Sequence, residues 1–130
     1  MSSFTLPLDT RYMPDTKNWM VLRSFRYWVG EVDSGKYVDI PYGYRTDGAS
    51  VPRPFWNIIP PWGPHGQAAV LHDYLCEFRH VMVDGRRVGI TRAECDEIFL
   101  EAMGVLNIAP FQKNAMYVAV RAYAIATFKY

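Results

Sequence analysis

Gly66-Gln67-Ala68-Ala69-Val70-Leu71-His72-Asp73-Tyr74-Leu75-Cys76-Glu77-Phe78-Arg79 is free of helix breakers and reads as a helix. Val81-Met82-Val83-Asp84-Gly85-Arg86-Arg87-Val88 follows, a short hairpin announced by Asp-Gly. Thr91-Arg92-Ala93-Glu94 is then a capping box, with Thr91 as N-cap and Glu94 three residues on; it starts a helix running to about Met103 and stopped by Gly104. Two helices joined by a tight hairpin must lie against each other, and this decides the second half of the fold. Pro110 opens a third helix, Phe111 to about Phe128, whose apolar run after Asn114 carries Arg121 as its interior charge and reads as the central core helix.

Working back toward the N-terminus, residues 46–66 hold five prolines (Pro52, Pro54, Pro60, Pro61, Pro64) and form a proline-rich loop. A loop of this length inside a small domain is more often functional than decorative. Residues 19–45 read as β. Trp19 to Val29 is aromatic and β-branched but loses strict alternation, Asp33-Ser34-Gly35 supplies a turn, and Lys36 to Ile40 returns before Pro41. The expected fold is α+β in one domain, residues 1–130. An N-terminal antiparallel β-hairpin or small sheet (1–45) precedes the loop (46–66), followed by two or three packed helices (67–130) with a small hairpin between the first two.

Composition bounds the function. The 130 residues carry 14 Lys+Arg against 13 Asp+Glu, so no basic excess points to nucleic acid. No apolar run approaches the ~20 residues of a membrane span, and the N-terminus lacks the pattern of a signal peptide. Two cysteines do not make a disulfide scaffold; Cys76 and Cys95 could lie near each other across the helix pair, and a cytosolic setting would leave them reduced.

The apolar stripes hold charged residues. On the 91–103 helix the stripe is Asp96, Phe99, Leu100 and Met103; on the 66–79 helix it includes His72, Leu75 and Cys76, with Asp73 one step round. Packing the stripes brings Asp96 to His72, because a buried carboxylate without a partner costs several kcal/mol. An Asp on one ring nitrogen fixes the tautomer and leaves the other as a base. Asp73 and Asp47, with the Gly48 carbonyl, offer hard oxygen ligands suited to Ca2+ rather than zinc. The plainer alternatives are a structural His-Asp pair, a simple Asp-Gly turn and a solvated Asp73.

Nearly the whole chain resembles an uncharacterised family of short phage and bacterial proteins, through Thr46-Asp47-Gly48-Ala49-Ser50-Val51-Pro52, His72-Asp73-Tyr74-Leu75 and Cys95-Asp96-Glu97-Ile98-Phe99-Leu100-Glu101-Ala102-Met103. This resemblance implies a phage or prophage origin, with a place in the host cytoplasm during infection or in the virion tail. Residues 46–103 also resemble phospholipase A₂ enzymes in the order of an Asp-Gly-x-Ser loop, a helical His-Asp and a second-helix Asp. That resemblance implies His72 as general base, Asp96 as its orienter, and Asp73, Asp47 and Gly48 around calcium. The chain departs from those enzymes in its β-rich N-terminal third, in a less regular calcium loop, and in Cys76, where a tyrosine often stands.

The leading expectation is therefore a phage-associated, calcium-dependent hydrolase acting on an ester or phospholipid. The alternative is a virion or tail-assembly component that binds phage structural proteins and uses the cluster as a brace. Ser50, Trp56 and Trp62 mark a substrate or partner loop that could touch a membrane surface transiently or simply cover the core. His65 is expected to face solvent.

Overall fold

A computed structural model of the chain describes residues 3–46 and 65–127. Among these residues seven strands and three helices follow in the order β1 (Thr10–Met13), β2 (Asn18–Val21), β3 (Phe25–Trp28), β4 (Lys36–Ile40), β5 (Arg45–Thr46), α1 (Gly66–Phe78), β6 (His80–Val83), β7 (Arg86–Gly89), α2 (Arg92–Val105) and α3 (Pro110–Ala126). This is the expected α+β fold, with the strands in two antiparallel sheets ordered β1-β2-β5 and β3-β4-β6-β7.

The Trp19–Val29 stretch is two strands rather than one. The break falls over Leu22–Ser24, where alternation fails in the sequence, and it sends β2 and β3 into different sheets. Beyond the break the period of two returns. Phe25 and Tyr27 face the core opposite Ile40 and Val38 of β4, and Phe4 lays its ring against both aromatics.

The hairpin between the helices extends this sheet. Asp84 and Gly85 both take positive φ, 50° and 83°, as a two-residue type I′ turn requires, and β6 pairs with β4 through Lys36–Val83 and Tyr37–Met82. Arg79 ends α1 in the left-handed conformation, and the Ile90 N–H donates to its carbonyl at 3.0 Å. That bond closes the hairpin at its base, so α2 starts beside the place where α1 stops.

Thr91 caps α2 as expected: its hydroxyl oxygen accepts from the Glu94 N–H at 3.2 Å. Gly104 does not stop the helix, which runs one residue past it to Val105. Val70, Leu71 and Leu75 of α1 join Phe99 and Met103 of α2 and the inner sheet residues in one core. α3 is an outer helix, not the central one. It buries Met116, Ala119, Val120 and Ala124, packs on α2, and leaves Phe111 83% exposed along with Val118 and Ile125. Met116 and Val120 pack inward together with Ala119 and Ala124, while Phe111, Val118 and Ile125 fall on the outer side. Among the described residues no helix is long and apolar enough to cross a membrane.

Replacing Thr91 with Ala removes the cap acceptor and should cost about 1 kcal/mol, read as a lower chemical-denaturation midpoint at unchanged slope.

Candidate functional site

His72 and Asp96, 24 residues apart, meet inside the helix pair. The His72 Nε2 lies 2.5 Å from Asp96 Oδ1, with His72 1% exposed and Asp96 fully buried. The imidazole stacks on Phe99, centroids 4.5 Å apart, and this holds the ring plane. The pairing read from the two stripes is thus present.

Two arginines complete the cluster. Arg92, one turn before Asp96 on α2, donates its Nε to Oδ1 at 3.0 Å, and Arg121 of α3 donates to Oδ2 at 2.9 Å. One buried carboxylate therefore binds three helices together. The sequence carried a signal for each: Arg92 stands at the i,i+4 spacing that brings helical side chains together, and Arg121 is the charge within an apolar helix.

Burial favours the neutral acid at Asp96, but the bond from His72, the charge of that ring and Arg92 outweigh it and hold the carboxyl below its usual range. Burial likewise drags the His72 ring down. Its hydrogen bonds to Asp96 and Cys76 more than restore it, and its pKa ends raised, at about 9.

Cys76, one turn after His72, places its Sγ 3.4 Å from the same Nε2. A Cys-His-Asp relay needs thiol and carboxylate on opposite ring nitrogens, so this arrangement does not activate Cys76 in that way. The Nδ1 of His72 is buried and has no hydrogen-bond partner among the described residues. The ligand atoms of His72, Cys76 and Asp96 lie within 4.8 Å of one another and could hold a metal ion. A dication there would meet the two guanidinium groups already bound to Asp96, so the charge balance disfavours it.

Asp73 turns away from this cluster. It accepts a hydrogen bond from the Thr46 hydroxyl at the end of β5 and lines a cleft of about 510 Å³ with Tyr44, Arg45, Cys76 and Glu77. Tyr44 donates to Glu77 at 3.0 Å and crosses Tyr74 edge-on, fixing one wall. Asp73 is thus in reach of solvent, as a metal or substrate ligand must be. The expected partners Asp47, Gly48, Ser50, Trp56 and Trp62 lie outside the described residues. His65 is buried rather than solvent-facing: it occupies the N-cap position of α1, where its carbonyl accepts from the Ala69 N–H at 3.0 Å and its ring is enclosed.

A family model described as "Protein of unknown function (DUF1353)" matches residues 19–120. The uncharacterized protein y4jT of Sinorhizobium fredii (strain NBRC 101917 / NGR234) is 35% identical over 86 residues, covering 65% of this chain. The chain spans 23% of that relative's length. No solved structure matches it.

The two shifts give stability a pH window. His72 is raised above its ordinary 6.5, so its contribution is complete below about pH 6.5 and fades as pH climbs through about 9. Asp96 is lowered from 3.8, so its contribution stands above that value and is lost as pH falls through its folded pKa. The thermal midpoint should fall between pH 6.5 and 9, and His72→Gln should flatten that limb. An equally steep limb in the variant would assign it to other groups.

Proposed function

This chain belongs to the DUF1353 family, and we propose that it is a hydrolase in which His72 and Asp96 activate water against an ester, with Asp73 as the group nearest the substrate. The observation that carries this reading is the division of labour on one ring: Asp96 holds Nε2, while the buried Nδ1 has no partner among the described residues. An unmatched buried polar atom costs about 1–3 kcal/mol, and its presence calls for a reason; a base awaiting its water is one.

In the active form the ring is neutral, with Nε2–H donating to Asp96 and a lone pair on Nδ1. The ring takes a proton from water at Nδ1 as the oxygen adds to the ester carbonyl, and Asp96 stabilises the imidazolium that forms. The proton then passes to the leaving alkoxide. Asp73, with Asp47 and the Gly48 carbonyl, is the donor set for calcium, and these hard oxygen ligands fit that ion better than the His72–Cys76–Asp96 group does. Bound there, calcium would polarise the ester carbonyl and draw in a phosphate-bearing substrate.

A second reading rests on the three cations around Asp96. That cluster joins α1, α2 and α3 whatever else the protein does, and it suits an assembly component of a phage particle whose cluster is purely a brace.

The two readings part on turnover. His72→Asn should lower hydrolysis of a p-nitrophenyl ester or phosphatidylcholine vesicles by about 10²–10⁴-fold with circular dichroism unchanged. Wild-type turnover should climb as pH rises toward the raised His72 value. Calorimetric titration with calcium chloride should give a binding isotherm that Asp73→Asn loses. Wild-type protein that turns over neither probe and gives no calcium heat sinks the hydrolase reading and leaves the brace.

A further inference from the structure

The third helix is amphipathic in reverse. Its charged side chains, Lys113 and Arg121, are turned toward α2. Arg121 donates to the buried Asp96, and the Lys113 Nζ lies beside Gly104, 3.7 Å from where a Cβ on that glycine would stand. The outer side carries Phe111 at 83% exposure, Val118 at 63% and Ile125 at 53%, with Asn114 and Ala122 exposed between them. A helix that only faces water is arranged the other way, with its charges outward and its large apolar residues covered.

These residues form one face. Seven positions are nearly two turns, so Phe111, Val118 and Ile125 stand in a single line ~21 Å long. The line is close to symmetric about Val118: a large apolar side chain stands seven positions before and after it, and Asn114 and Ala122 stand four before and after.

We infer that this face docks on a second copy of the chain, α3 against α3, antiparallel across a two-fold axis at Val118. This inference stands apart from the hydrolase reading and needs no turnover.

Symmetry, charge and size select this occupant. In a two-fold contact residue i meets j and j meets i. An axis at Val118 meets that condition, setting Phe111 against Ile125 of the second copy and Val118 against itself. The antiparallel arrangement also places the positive end of each helix beside the negative end of the other. No charge stands on the line, so nothing in it repels its own copy. A membrane surface fits less well, because helices that lie in an interface set Lys or Arg along their polar side facing outward, and both cations of α3 are spent on α2. Two such faces remove roughly 1,000 Å² from water in all, the small end of specific interfaces, so the dimer is one that dilution separates.

Sedimentation velocity on the full chain, from micromolar to millimolar, should show a reversible shift toward twice the monomer mass. Val118→Lys sets like charges together on the axis and should weaken association at least about 100-fold, with circular dichroism and the thermal midpoint unchanged. Phe111→Ser should weaken it as well. Under mild oxidation Val118→Cys should form a disulfide with its own copy through position 118, and Phe111→Cys alone should not. An equal mixture of Phe111→Cys and Ile125→Cys should cross-link between those two positions. A wild-type monomer at millimolar concentration, association that Val118→Lys leaves intact, or Phe111→Cys linked to itself would each overturn the inference. So would a wild-type monomer that sediments with phosphatidylcholine vesicles while Val118→Lys does not.

Discussion

One carboxylate organises the helical half of this protein. Asp96 is fully buried, and a bare charge there would be intolerable, since even after relaxation each buried ion carries a penalty of several kcal/mol. The chain meets this by bringing a cation from every helix: His72 from α1, Arg92 from α2 itself and Arg121 from α3. Such a cluster gains little over an apolar core of equal volume, but it penalises misalignment heavily. A slip of either neighbouring helix strands charges without partners, so the cluster sets register more than it adds stability.

That register depends on the hairpin outside the cluster. Without a fixed separation between the end of α1 and the start of α2, His72 and Asp96 could not meet at hydrogen-bond distance. The type I′ turn at Asp84–Gly85 and the Ile90–Arg79 bond set this separation, and pairing of β6 with β4 anchors the hairpin to the sheet. Tyr27 adds a tie from the other side. Its buried hydroxyl donates to Glu101 of α2 at 2.5 Å, and the Gly30 N–H donates to the same oxygen at 2.8 Å. Sheet, hairpin and helices are thereby one positioning device for a single ring.

Features with short-range causes were legible in the sequence. The Thr91–Glu94 cap, the Asp84-Gly85 turn and the start of α3 at Pro110 depend on a few adjacent residues and stand where local chemistry puts them. The His72–Asp96 contact is long-range, yet it followed because both residues interrupt apolar stripes whose packing the hairpin dictates. Other features were hidden because their causes lie in the tertiary arrangement. The assignment of β2 and β3 to different sheets depends on which partner each finds, Tyr12 and its neighbours for one and β4 for the other, and the faltering alternation at Leu22–Ser24 marked only the break. α3 looked central because it is apolar, but it buries only the face of Met116, Ala119, Val120 and Ala124 and leaves Phe111, Val118 and Ile125 on the outside. The arginines were visible individually, while their convergence on one carboxylate required all three helices in place.

The composition of the cluster says something about His72 beyond bracing. Arg92 and Arg121 already supply two positive charges to one negative, so neutralising Asp96 does not need a third cation. If stability alone governed position 72, an apolar side chain packed on Phe99 would avoid both the extra charge and the unmatched Nδ1. The imidazole is also the member of the cluster that can give up its proton. Around Asp96 there are thus two guanidinium groups and one imidazole, and the buried Nδ1 of that imidazole has no hydrogen-bond partner among the described residues. A brace accounts for the two arginines and for the tie that His72 makes from α1, but not for its enclosed Nδ1, the atom that the proposed proton transfer would use.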